Sequence, residues 1–202
     1  MKKHTVKGKL EVISGSMFSG KSEELIRRIR RAEIANFKIA AFKHKVDDRM
    51  SIDNINTHGG DKYRAVALDS PEDIKLFVTE ETQIIAIDEV QFFNMNIISV
   101  ILEMIENGKK VMVAGLDLDF RGVPFGPIPP LMAIADSITK LYAICMTCGN
   151  DAHYSQRLID GRAAKFDDPI ILIGAENVYQ ARCRDCFIID RIQWSSPELS
   201  VT

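Results

Sequence analysis

The stretch GSMFSGKS at residues 15–22 has glycine at its first and sixth positions, then lysine and serine. These residue types at this spacing suit one task, which is holding a chain of phosphates. Glycines let successive backbone N–H groups turn onto phosphate oxygens, a lysine adds a point charge, and a serine hydroxyl ligates Mg2+. The cradle would run through Gly15, Ser16, Met17, Phe18, Ser19 and Gly20, with Lys21 as the charge and Ser22 as the metal ligand. ATP and Mg2+ are the cofactors this predicts. Such a loop needs a second acid to hold the metal through water, normally at the carboxyl end of a neighbouring apolar strand. The run QIIAIDE (83–89) supplies Asp88 for that place. Glu89, one step further, would reach a nucleophile near the terminal phosphate, either as general base on a hydroxyl or to orient a water. The polar stretch 46–62 carries Asp47, Asp48 and Arg49. An arginine on a closing loop would stabilise charge on the transferred phosphoryl group; the other reading is a solvated loop arginine.

A second constellation lies downstream. Cys145-x-x-Cys148 and Cys183-x-x-Cys186 are the only cysteines of the chain. Two such knuckles place four thiolates tetrahedrally around Zn2+, in a closed and therefore structural site. The metal would fix both ends of residues 149–182 and supply much of the folding free energy of a region with little core. His153 reads as a loop histidine, because four cysteines already fill the shell. The tethered stretch ends IGAENVYQARCRDC, with Gly174, Glu176 and Tyr179 ahead of the second knuckle. A loop of this kind would lie over a planar ligand and read its edge with backbone groups, which suits a nucleobase.

The elements that must position these residues alternate. Strands read at 9–14, 37–44, 63–68, 83–89, 109–115 and through ITKLYAIC; helices read at 22–36, at 71–79 with Ser70 as N-cap, at 94–107 up to Asn107-Gly108, and near 131–135. The stretch 46–62 reads as a polar, mobile loop. Strands alternating with helices imply an α/β fold with a parallel sheet. Turn signals and both cysteine pairs crowd the chain after about Tyr142. The predicted division is therefore a P-loop domain at 1–141, a zinc-binding domain at 142–190 and a loose tail at 191–202. A hydrophobic share of 46% supports a real core, and a net charge of −2 offers no basic field for nucleic acid. No run of eighteen apolar residues predicts a membrane span, and the first residues lack an export-type apolar stretch, so a cytosolic protein is expected.

Six segments in order, GSMFSGKSEEL, IDEVQFF, LDLDFRGVPFGPIP, CMTCG, SQRL and IGAENVYQARCRDC, resemble the zinc-containing thymidine kinases of the cytosolic animal and bacterial type, over about Gly8 to Phe187. The resemblance implies a RecA-like P-loop domain and a small zinc domain whose lasso loop closes over thymidine. It implies transfer of the γ-phosphoryl of ATP to the 5′-hydroxyl of thymidine or deoxyuridine, with Glu89 as the base. Asp47 and Arg49 match an Asp-x-Arg loop that approaches the reacting phosphate. Met17, Phe92, Phe120 and Tyr179 match residues lining the thymine and sugar pocket, and Ser155 a position beside the base where other members carry threonine. Val178 and neighbouring backbone would pair with the base edge. A homotetramer and feedback inhibition by dTTP are further implications. Ala175, where many members have glycine, and Val90, where some do, depart from the pattern without removing a catalytic group. Two rival readings follow from parts of the evidence: a recombinase-like P-loop ATPase in which Glu89 activates water, and a zinc-ribbon interaction protein.

Overall fold

The computed structural model describes residues 7–46, 54–56, 60–170 and 178–189. In chain order the elements are β1 (Lys9–Gly15), α1 (Lys21–Ile34), β2 (Ile39–His44), β3 (Asn54–Asn56), β4 (Lys62–Arg64), β5 (Val66–Leu68), α2 (Ile74–Phe77), β6 (Ile84–Asp88), α3 (Asn96–Glu106), β7 (Lys110–Gly115), α4 (Ile128–Ile134), β8 (Ser137–Leu141), β9 (Ala143–Ile144), β10 (Asp151–Ala152), β11 (Tyr154–Ile159), β12 (Arg162–Ala163) and β13 (Val178–Arg182). Six strands form one sheet in the order β5-β2-β6-β7-β1-β8, and every pair in it is parallel.

A strand exposes alternate residues to opposite faces, and both faces of this sheet are covered. Leu10 and Val12 of β1, Ile85 and Ile87 of β6, and Val111 and Val113 of β7 point to one side, where they pack with Ile97, Val100, Ile101 and Met104 of α3 and Ile128 and Leu131 of α4. Ile13, Ala86, Met112 and Ala114 point to the other side, against Leu25, Ile26 and Ile29 of α1. These central strands are therefore apolar on both faces, as buried parallel strands must be. The small side chains at Ala41, Ala86 and Ala114 let α1 lie close to the sheet. Each fully buried Leu or Ile contributes roughly 1.5–3 kcal/mol relative to exposure. All six parallel strands point the same way, so the loops that leave β1 and β6 open at one edge of the sheet.

Several boundaries differ from those expected. The run YRAVAL splits at Ala65 into β4 and β5, which belong to different sheets. Within the stretch expected to be a loop, β3 pairs antiparallel with β4, and Ile55 is buried under α1. The expected helix at 71–79 contracts to a 3-10 turn, Pro71–Asp73, followed by the four residues of α2, after which Val78 is extended. Ser70 makes no capping bond; its hydroxyl donates to Glu72 instead. ITKLYAIC also divides, with β8 ending the large sheet at Leu141 and β9 opening an antiparallel hairpin with β10. A three-stranded antiparallel sheet, β12-β11-β13, completes the second part. Its core beside the knuckles consists of Ala143, Cys145, Ala152, Ala181 and Cys183, with no large apolar side chain. The tail at 191–202 lies outside the described residues.

Candidate active site

The phosphate loop leaves β1 and enters α1 through Gly20, which is left-handed at φ 84°. Glycine adopts that conformation without the Cβ penalty. Gly15 is constrained by space, since a Cβ there would stand 2.3 Å from the Leu141 carbonyl oxygen. Gly15→Ala is therefore expected to displace the loop and weaken ATP binding by tenfold or more, a step of about 1.4 kcal/mol. Calorimetric titration with ATP checks this, and unaltered affinity refutes it. The Ser16 carbonyl gathers the loop: it accepts from Ser19 Oγ at 2.7 Å and from Lys21 Nζ at 2.8 Å. Burial lowers the pKa of Lys21, against the opposing charges of Glu89, Asp88 and Asp117.

Asp88 ends β6 and accepts from the Ser22 hydroxyl at 2.8 Å. Burial and then the neighbouring Glu89 charge push its carboxyl up to about 7, against the bonds from Ser22 and the Glu89 amide and the charge of Lys21. A hydroxyl and a carboxylate side by side are the hard oxygen donors that Mg2+ takes, so these two residues fit the metal. The expected neighbour relation needs correction: β6 does not pair with β1, because β7 lies between them. The acid reaches Ser22 across that intervening strand.

Glu89 stands outside β6 in a left-handed conformation, φ 52° and ψ 40°. Such a backbone costs a non-glycine residue on the order of 1 kcal/mol or more, and here it turns the chain sharply at the strand end. The Glu89 N–H donates to Asp88 Oδ1 at 3.0 Å. Gln91 Nε2 donates to Glu89 Oε2, and Gln91 Oε1 accepts from the Leu116 N–H at 3.0 Å. Beyond β7, Asp117 pairs with Lys140 at 2.7 Å and lies among the charges acting on Lys21. Val90, one of the two departures from the family pattern, is buried in the 3-10 turn that follows Glu89.

The second part of the chain meets the phosphate loop directly. Ser155 of β11 stands opposite Ala181 of β13, and Arg157 opposite Tyr179. With a period of two, Ser155, Arg157, Tyr179 and Ala181 share one face of this ladder. The Met17 N–H donates to Ser155 Oγ at 2.9 Å, and Ser16 Oγ donates to the Ala152 carbonyl at 3.1 Å. Phe120 lies under the Arg157 guanidinium, 3.6 Å from ring centroid to Cζ. Arg157 also donates to the Pro169 carbonyl at 2.7 Å. Thus Met17, Phe120 and Ser155 converge, with Tyr179 on the same ladder. Phe92 sits further round, edge-on to Phe125 at 5.8 Å. Val178 is described in its backbone alone, which pairs with Leu158. Asp47, Asp48, Arg49, Gly174, Ala175 and Glu176 lie outside the described residues. Gln91, Asp117, Lys140 and Arg157 were not assigned from the sequence. Gln91, Asp117 and Arg157 stand in the segments IDEVQFF, LDLDF and SQRL that carry the resemblance, which is the signal that could have found them.

The four cysteine sulfurs lie within 4.8 Å of one another, with Cys148 and Cys183 Sγ at 3.5 Å. That clustering, without a disulfide, is what a tetrahedral thiolate site requires, so the residues fit zinc. Burial opposes ionisation of Cys145, but the backbone amides of Cys183, Thr147 and Cys148 outweigh it and bring the thiol down to about 6. His153 packs its ring against Tyr142 at 4.6 Å and is not part of the cluster.

A glycine loop, its lysine and serine, and a strand-end Asp-Glu pair on a parallel sheet define a P-loop nucleotide-binding protein of the phosphotransfer type. The thymidine kinase family model matches residues 8–187. The chain belongs to that family, whose members are ATP:thymidine phosphotransferases, and the ATPase reading has no better support.

Proposed function

We propose that this thymidine kinase works with Glu89 as general base and with a metal-tethered segment over the nucleoside. The observation that carries the reading is the convergence of Lys21, Ser22, Asp88 and Glu89 at one edge of the sheet. In the proposed reaction the loop amides of residues 15–20 and Lys21 hold the phosphates of ATP. Ser22 and Asp88 hold Mg2+, which when bound neutralises phosphate charge. Glu89 accepts the proton of the 5′-hydroxyl as that oxygen bonds to the γ-phosphorus. The bond to the bridging oxygen breaks, and ADP departs with its electrons. Arg49 is the proposed cation of the closing loop. Met17, Phe92, Phe120, Ser155 and Tyr179 line the nucleoside, and Val178 offers its backbone to the base edge.

In this reading residues 1–141 form the nucleotide-binding domain, residues 142–190 the zinc and lasso domain, and 191–202 a tail. Cys145, Cys148, Cys183 and Cys186 hold structural Zn2+. Deoxyuridine is a second substrate, dTTP a feedback inhibitor in the thymidine site, and a homotetramer the working assembly. No helix among the described residues is long and apolar enough to cross a membrane; the cytoplasm is the proposed location.

Backbone recognition is strict about donor and acceptor pattern, and an unmatched buried polar group costs about 1–3 kcal/mol. Deoxycytidine exchanges donor and acceptor at the base edge. Its kcat/KM is therefore expected to fall tenfold or more below that of thymidine. Transfer of labelled γ-phosphate to thymidine, deoxyuridine and deoxycytidine tests the reading. Equal efficiency with deoxycytidine defeats the backbone-recognition part, and ATP turnover indifferent to any nucleoside defeats the whole.

A further inference from the structure

Gln91 is buried, with 3% of its surface exposed, and both ends of its amide are committed. The Leu116 N–H can only donate, so the carbonyl oxygen of Gln91 must face it, at 3.0 Å. This fixes the amide group: its NH2 is turned toward Glu89, where Nε2 donates to Oε2. The surroundings hold the side chain in place. A Cβ on Gly115 would lie 2.5 Å from Gln91 Oε1, and one on Gly126 would lie 2.5 Å from the backbone oxygen of Gln91. Gly115 thus leaves room for the side-chain amide, and Gly126 for the backbone that carries it.

We propose that Gln91 is a positioning residue for phosphoryl transfer, which fixes the plane of the Glu89 carboxylate so that it meets the nucleoside hydroxyl. The proposal rests on the reading of Glu89 as base. Glu89 sits on an irregular corner rather than within a strand, so its backbone alone does not aim a side chain with three rotatable bonds. The bond from Gln91 does. Gln91 is in turn anchored to the exit of β7, so the aim of the base is referred to a buried central strand of the sheet. A misplaced reacting group loses on the order of 100-fold in rate.

Steady-state kinetics of Gln91→Met, Glu89→Gln and the double variant test this. Gln91→Met keeps the length and removes both the donor to Glu89 and the oxygen that accepts from the Leu116 N–H. It is expected to lower kcat about 10- to 100-fold with KM for ATP and thymidine within about twofold. In the double variant kcat is expected to equal that of Glu89→Gln alone, because the bond acts only through Glu89. Gln91→Asn, one methylene shorter but still an amide, gives the same kcat loss and replaces Gln91→Met if the latter does not fold. A deep loss in Glu89→Gln with unchanged kcat in the Gln91 variants overturns this proposal and leaves the base in place. Additive losses in the double variant, or equal damage to kcat and KM, make Gln91 a structural amide and also overturn it. An unaffected Glu89→Gln enzyme removes the base itself, and the proposal with it.

Discussion

Glu89→Gln is expected to lower the rate of thymidine phosphorylation by about 10²- to 10⁴-fold, the range that general-base catalysis supplies, while ATP affinity stays near its original value. The replacement keeps the size of the side chain and leaves Ser22, Asp88 and Lys21 untouched, so the phosphate cradle persists. It removes the charged oxygens that accept a proton. It also places an amide opposite Gln91 Nε2, where Glu89 Oε2 now accepts, and the new amide can still turn its carbonyl there. The asymmetry between binding and turnover separates a base from a residue that shapes the ATP site. Single-turnover transfer rates and an independent ATP titration decide the matter. A parallel loss of ATP affinity would mean that Glu89 acts on the metal or the phosphates, and intact turnover would remove it from the chemistry.

Metal removal is expected to have the second large effect. The described parts of Ala143 to Phe187 are held by short strands, by a core of alanines and cysteines and by the stacked Tyr154 and Phe187 rings. Such a core buries little apolar area, and structural zinc contributes roughly 10–16 kcal/mol of apparent binding free energy in small zinc modules. Chelation, or Cys183→Ser, should therefore abolish amide protection across β9 to β13. Protection in β1, β6 and β7 should remain, because those strands lie in the apolar sheet core. Thymidine phosphorylation should be lost along with the protection in the second region. Hydrogen exchange measured with and without chelator, beside the zinc content of each sample, checks this. Retained protection in β11 and β13 after complete loss of metal would show that the region folds on its own.

Groups that act through local spacing were legible in the sequence. The glycine loop, the Asp-Glu pair and the two cysteine knuckles each lie within a few residues, and the structure brings Lys21, Ser22 and Asp88 together and clusters the four thiols. Strand order was not legible. The apolar runs of β1, β6 and β7 look alike, and nothing in their periodicity says that β7 separates the other two. The β3–β4 ribbon escaped because Asn54-Ile55-Asn56 offers one apolar residue in a polar stretch, and its burial depends on α1. The expected helix at 71–79 begins as a 3-10 turn, where the Ser70 hydroxyl bonds the Glu72 side chain rather than a backbone amide, and it stops at Phe77 because Val78 is extended. Gln91 and Arg157 owe their roles to partners distant in sequence, Leu116 for one and Pro169 and Phe120 for the other. Both lie within motifs that gave a family, but only the fold gave them neighbours.

The seam between Ser16 and Ala152, and between Met17 and Ser155, joins the glycine loop to the region of the knuckles. Ala152 lies on the hairpin that follows the first knuckle, and Ser155 is laddered to Ala181, two residues before Cys183. Linkage between two binding events is reciprocal: if zinc in the four thiolates tightens the hold on ATP through this seam, ATP must raise the affinity for zinc by the same factor. The ion would then serve as a remote clasp on the triphosphate, touching neither reactant.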